Sequence, residues 1–179
     1  MSHKEQRDFV KRVLDKFGPK VEGKCYDFGS LDINGSVRKD MEGLGLEYTG
    51  IDIGEGANVD VVCLAHEFKP DWRAGVVVSC EMLEHDRFWR LSLQNMYDVL
   101  EDRGLMIISC ATHGRPEHGT ARTSPRDSPF TVKEDEWANY YKNLGQEDFE
   151  VVFKEGMFSE YEYSRNTRRH DIYFWGIKA

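Results

Sequence analysis

The chain switches between short, uninterrupted apolar blocks and stretches in which apolar positions recur every three to four residues. Its opening stretch, MSHKEQRDFVKRVLDKFG, is of the second kind: Phe9, Val10, Val13, Leu14 and Phe17 share one face of a helix. Residues 24–29 then read as a strand, followed by a turn-rich loop. Residues 35–43 predict a short helix closed by Gly43 and Gly45. Strands follow over 48–53, 59–64 and 75–81. Residues 87–100 return to helical spacing through Phe88, Leu91, Leu93, Met96, Val99 and Leu100, and 104–111 is a fifth strand. The runs VVVSC and LMIISCA are apolar throughout rather than alternating. Strands covered on both faces have this pattern, which points to a parallel sheet between helical layers. Only about ten residues separate the third and fourth strands, barely enough for a parallel crossover, so a single turn or degenerate helix is expected there.

Residues 112–129, THGRPEHGTARTSPRDSP, break the pattern and hold three of the five prolines. A segment this long without periodicity is usually functional or disordered. Beyond it, residues 131–144 predict a helix opened by Thr131 and Glu134 as a capping box. Strands over 149–158 and 171–178 have no helical pattern between them and should pair as a hairpin. The expected architecture is α/β: a Rossmann-like three-layer αβα sandwich around a mostly parallel seven-stranded sheet with an antiparallel C-terminal hairpin, one domain over 1–179.

Composition narrows the function classes. With 40% hydrophobic and 31% charged residues over 179 positions, the balance is that of one soluble globular domain. A formal net charge of −8 argues against nucleic acid as a partner. The one dense basic cluster, Arg165, Arg168 and Arg169, sits beside Glu160, Glu162 and Asp171 and reads as a mixed surface. No apolar run approaches the roughly 20 residues of a membrane span, and the N-terminus lacks an apolar signal core; no membrane association and a cytoplasmic location are expected. Cys25, Cys63, Cys80 and Cys110 form no CxxC pair, and all fall in predicted strands; they read as free thiols.

The chemistry concentrates at the ends of the predicted strands. In an open parallel sheet a ligand sits beyond the carboxyl ends of the strands, where their order reverses. The first strand runs into YDFGSLDINGS, where Gly29 and Gly35 permit close approach to the backbone. The second ends in GIDI, placing Asp52 about twenty residues further on, the spacing of a carboxylate that binds a ribose. Either feature alone also fits a plain turn or a strand-end acid; together they favour a nucleoside site. The loop matches neither G-x-G-x-x-G nor a P-loop, so a ligand without phosphates suits it better than a dinucleotide.

These motifs resemble those of the class I S-adenosylmethionine-dependent methyltransferases, with type 11-like features. DFGS resembles the start of that family's first motif, D-x-G-x-G-x-G. GIDI resembles its ribose-binding acid, VVVSCEMLEHD its fourth-strand motif, and GLMIISCAT the strand after it. The terminal hairpin is also similar. The resemblance covers nearly the whole chain past the first helix. It implies S-adenosyl-L-methionine as cofactor and methyl transfer to a small-molecule acceptor as the activity. It further implies a cofactor site of Asp27, Gly29, Ser30, Gly35, Asp52, Ile53, Ala65, His66, Ser79, Cys80 and Glu81. Two departures stand out. The first-motif loop is longer than usual and lacks its middle glycine, which leaves Asp32 or Asn34 to contact the amino acid moiety. Leu64 replaces the acid that meets the adenine amino group, with His66 or Glu67 as substitutes.

Methyl transfer from a sulfonium needs mainly placement and exclusion of water, so no catalytic dyad has to be visible. The candidates for a general base are His113, His118, Glu81 and His85. The 112–129 segment is expected to bind the acceptor through Arg115, His118 and Arg122, its arginines suiting a carboxylate or phosphate. Cys110, His113 and His118 match no standard zinc spacing, and no metal is expected. The chain is expected to act as a monomer or homodimer. The alternatives are a non-catalytic S-adenosylmethionine-binding protein and a nicotinamide-dependent oxidoreductase.

Overall fold

The computed structural model describes residues 4–179. The first three residues, part of the N-terminal stretch read above for a signal core, lie outside the described residues. Seven strands form one sheet: β1 Lys24–Phe28, β2 Glu47–Asp52, β3 Val61–Val62, β4 Ala74–Cys80, β5 Leu100–Ala111, β6 Phe158–Asn166 and β7 Asp171–Lys178. Their spatial order is β3-β2-β1-β4-β5-β7-β6. The β1–β5 pairings are parallel, and β7 lies antiparallel between β5 and β6. The order therefore reverses between β1 and β4, the place where a doubly wound sheet opens a crevice.

Helix α1, Lys4–Phe17, buries the predicted face of Phe9, Val10, Val13, Leu14 and Phe17. Together with Met41 of α2, Arg38–Glu42, it covers one side of the sheet, against Val76, Val78, Leu105, Ile107, Tyr173 and Trp175. Phe9 stacks on Tyr173 with ring centroids 4.5 Å apart. Helices α3, Trp89–Asp98, and α4, Gln146–Val152, cover the other side through Trp89, Leu93, Met96 and Phe149. There they meet Val77, Met106, Ile108 and Phe174. Adjacent strand residues Val76 and Val77 thus serve opposite cores, which is why these strands are apolar without alternation. No described helix is long and apolar enough to cross a membrane.

The β3–β4 crossover contains only a 3₁₀ turn, Ala65–Glu67, as its length required. Cys25 and Cys110 lie in β1 and β5 and Cys80 ends β4, all three buried, while Cys63 falls just beyond the short β3; all are free thiols.

The last third departs from expectation. Residues 131–144 form no helix. A 3₁₀ turn at Thr131–Lys133 gives way to turns and extended chain. The apolar side chains there go to different places: Trp137 to Phe88, Tyr141 to His85 and His118, Leu144 into the core. The backbone follows them, with Ala121 N–H bonded to Ala138 O and Lys142 N–H to Glu84 O. Tertiary contacts override a helical pattern here. Conversely, the strand expected over 149–158 is α4 and a turn. Phe149 and Phe153 both face the core at helical spacing, and the Asp148 carboxylate accepts from Gly145 N–H at 2.9 Å, a cap at the helix start. The hairpin exists, but its first strand begins at Phe158.

Candidate active site

A cleft opens at the carboxyl ends of β1, β2 and β4. Gly29, Leu31, Ile33, Asp52, Ile53, Leu64, Ala65, Glu81, Met82 and His85 line it from the sheet side. Ser128, Pro129, Phe130, Thr131 and Trp137 line it from the long 112–145 excursion. A smaller cavity shares Gly29 and Leu31 with the cleft and is bounded by Asp27, Ser30, Gly35, Ser36, Val37 and Cys80.

The loop after β1 is built by strand-end carboxylates and backbone amides. Gly29 and Ser30 N–H both bond Ile51 O. Gly29 has φ +79°, a backbone region that favours glycine, and a Cβ there would stand 2.4 Å from that of Met82. Asp52 accepts from Leu31 N–H at 3.1 Å and from Ile53 N–H at 2.8 Å. Burial pushes its carboxyl up, opposed by those amide bonds. Asp27 is buried and accepts from the Tyr48 hydroxyl; Asn58 in turn donates to Tyr48 Oη and to Ser30 O, both at 2.8 Å. Burial raises Asp27 to about 7 in spite of the tyrosine bond. Asp32 accepts from Gly35 N–H at 2.7 Å, so it shapes the elongated loop from within.

Beyond β4 the backbone turns sharply. Glu81 has φ +57°, strained for a residue with a side chain. Burial, then the neighbouring Glu84, lifts its carboxyl to about 8. Arg115 lies 3.7 Å from Glu81 and 2.9 Å from Asp171, whose side chain is fully buried. His85 and His118 meet edge to face with centroids 5.0 Å apart, and Tyr141 packs on both. Burial pushes both imidazoles down, towards the neutral form.

Of the residues singled out in the sequence, Gly29, Asp52, Ile53, Ala65, Glu81 and His85 come together around the cleft. Asp27, Ser30, Gly35 and Cys80 surround the smaller cavity. Two others are elsewhere: Ser79 donates to Phe28 O at 2.8 Å inside the sheet, and His66 packs against Phe88. The expected cationic acceptor loop does not take that form. Arg115 is committed to Asp171, and Arg122 makes a two-pronged pair with Glu117 at 2.6 and 2.7 Å. Acidic side chains within reach have captured both guanidinium groups. His113 is exposed and pairs with Glu147 at 2.6 Å, away from His118. The sequence reading missed Phe130, Trp137 and Met82. An aromatic directly after the last proline of the segment was the available signal for Phe130.

The charge of the lining is one-sided. Asp52, Glu81, Asp86 and Asp127 contribute carboxyl groups, and among the described residues no lysine or arginine lines the cleft.

The strand order, the crevice between β1 and β4 and the antiparallel β7 define the class I methyltransferase fold. A phosphoethanolamine N-methyltransferase 2 of Haemonchus contortus, bound to phosphomonomethylethanolamine and S-adenosylhomocysteine, aligns with a TM-score of 0.66 at 16% identity over 96% of this chain. The chain spans about half of that protein, 52%. A 1,6-didemethyltoxoflavin-N1-methyltransferase of Burkholderia thailandensis, with its substrate and S-adenosylhomocysteine, aligns at 0.66 and 13% identity over 97% of this chain and 78% of its own. A magnesium protoporphyrin IX methyltransferase of Synechocystis with S-adenosylmethionine aligns at 0.65 and 12% identity, covering 99% and 80%. No family model matches the chain, and no curated protein matches it in sequence.

Proposed function

We propose that the protein is an S-adenosylmethionine-dependent methyltransferase acting on a small-molecule acceptor. The observation that carries the reading is Asp52. Its half-buried carboxyl group stands at the end of β2, across from Gly29, in the crevice where the strand order reverses. The lining separates this reading from a nicotinamide enzyme. A dinucleotide brings a doubly negative pyrophosphate, and among the described residues no lysine or arginine lines the cleft to pair with it, whereas S-adenosylmethionine carries no phosphate. The fold relatives bound to S-adenosylmethionine or S-adenosylhomocysteine support the same cofactor.

In this reading Asp52 accepts the ribose hydroxyls, and Ile53 and Ala65 form the apolar adenine walls. Gly29 and Ser30 pass along the methionine chain, and Asp27, Gly35 and Cys80 enclose its amino acid end. His66 and Ser79 support the site from behind. S-adenosylmethionine supplies an already activated methyl group on sulfur. The protein's part is to align an acceptor with it and to keep water out. Phe130 and Trp137 provide the cover. His85 and Glu81 line the acceptor side, with His118 behind them. His85 and His118 are held neutral, the form in which an imidazole offers a lone pair. Residues 1–179 act as one domain, in the cytoplasm, as monomer or homodimer, without nucleic acid.

Calorimetric titration with S-adenosylmethionine, S-adenosylhomocysteine and NAD tests the proposal. Micromolar binding of the first two and none of NAD is expected. NAD binding alone would overturn it. Methyl release on an acceptor panel then separates an enzyme from a non-catalytic binding protein.

A further inference from the structure

Glu84, His85 and His118 form the one group among the described residues whose donor atoms converge as metal ligands do: one atom from each, all within 4.8 Å of one another. The fold builds this group from two directions. Glu84 and His85 sit in the turn between β4 and α3, and His118 comes from the excursion after β5. All three are buried, at 0%, 6% and 9% exposure. Gly119 makes the approach possible, since a Cβ there would stand 2.5 Å from His85 Cε1.

The hydrogen bonds leave the right atoms unused. His118 Nδ1 lies 3.1 Å from Pro116 O, a carbonyl that can only accept. Nδ1 therefore carries the proton, and the Nε2 lone pair is turned outward, the arrangement in which a backbone carbonyl orients a metal-bound histidine. Glu84 Oε1 accepts from Ala111 N–H at 3.3 Å. Glu84 Oε2 and His85 Nδ1 are buried and, among the described residues, have no partner; the same holds for the Tyr141 hydroxyl, whose ring packs on both histidines. Buried polar atoms without partners are rare, and a concentration of them around two imidazoles and a carboxylate needs a cause.

We propose that Glu84, His85 and His118 hold a divalent transition metal ion of the zinc type. Two imidazoles and one carboxylate select such an ion over calcium or magnesium, which prefer all-oxygen shells. Around a tetrahedral zinc, ligand atoms stand roughly 3.3 Å apart, so side-chain rotations of about 1 Å per atom close the shell. Three protein ligands leave a fourth position open, as in catalytic rather than structural zinc sites. His85 lines the cleft, which places the ion beside the space assigned to the acceptor. The ion site stands on its own residues. Its role, holding an oxygen or nitrogen of the acceptor, rests on the methyltransferase reading.

The test uses the full chain after chelator treatment, titrated with Co²⁺ and Zn²⁺. One Co²⁺ per chain is expected, with visible d–d absorption that equimolar Zn²⁺ abolishes, and Zn²⁺ should raise the melting temperature by mass action. E84Q and H118Q should each weaken Co²⁺ binding about 100-fold or more, while S-adenosylhomocysteine affinity, measured in parallel, reports that the fold persists. Absence of d–d bands and of zinc stabilisation in the unaltered protein overturns the site, as does wild-type metal affinity in both variants. If H118Q fails to fold, E84Q and the unaltered protein still decide. Metal binding without S-adenosylhomocysteine binding would uphold the site and sink the methyltransferase reading; the converse would do the opposite.

Discussion

The ring of Phe130 lies so close to Gly54 that a Cβ on the glycine would come within 2.6 Å of three ring carbons. Phe130 belongs to the excursion after β5, and Gly54 follows Asp52 at the end of β2, so the contact pins the cover to the proposed ribose site. The cavity beneath is about 70 Å³, well below the ~300 Å³ or more of typical ligand pockets. A nucleoside needs more room than that, and Phe130 is one of the side chains that bound the space. Phe130→Ala should therefore speed association of S-adenosylhomocysteine roughly tenfold, read by stopped-flow tryptophan fluorescence. An unchanged rate constant would mean that the ring does not gate the cleft.

Asp52 holds the Leu31 amide and faces the cleft at once. Asp52→Ala removes the proposed ribose acceptor, and hydrogen bonds to a charged group contribute about 1.5–3 kcal/mol. Affinity for S-adenosylhomocysteine should fall roughly 10- to 100-fold by calorimetry. Equal affinity would place the ribose elsewhere.

Asp27 gives the stability a pH dependence of definite sign. Its folded carboxyl titrates at about 7, above an unfolded value near 3.8, because burial disfavours the charge. Between those values the folded state binds the proton more tightly than the unfolded chain. This contribution is full below the unfolded value and is lost as pH rises towards 7. Asp27→Asn, which keeps the shape and cannot ionise, should flatten the fall in melting temperature between pH 5 and pH 8. A slope as steep as that of the unaltered protein would assign the dependence to other groups.

Arg115 was expected to meet an acceptor; its guanidinium instead bridges the buried Asp171 and Glu81. Removing the guanidinium leaves two buried carboxyl groups without their cation, at a cost that approaches about 3–5 kcal/mol only above pH 8, where both are ionised. Arg115→Ala should lower the denaturation midpoint accordingly, with Arg115→Lys intermediate. A variant with undiminished stability would return the residue to the acceptor site.

Where local pattern and tertiary demand agree, the sequence was readable. The α1 face and the continuous apolar strands β1, β4 and β5 follow from periodicity, because each side chain packs where its position along the element sends it. The Gly29 and Asp52 pairing was equally legible, since both lie at strand ends with fixed spacing. Residues 131–144 were not. Val132, Trp137, Tyr141 and Leu144 have the spacing of a helical face, but their partners lie in different directions. The commitment of Arg115 and Arg122 to carboxylates was hidden for a related reason: spacing in a loop does not say which acids fold back upon it. The meeting of His118 with Glu84 and His85 is a contact between two separate segments, and only the folded chain discloses it.

The excursion after β5 leaves at Thr112 and returns with Leu144 N–H bonded to Ala111 O at 3.0 Å. The last residue of the strand thus touches the end of the detour as if the intervening chain were spliced out. Because the sheet registers almost no length there, and closure entropy grows only with the logarithm of loop length, insertions and deletions at exposed positions of the detour should leave the sheet's register intact, provided Arg115 keeps its place beside Asp171 and Glu81.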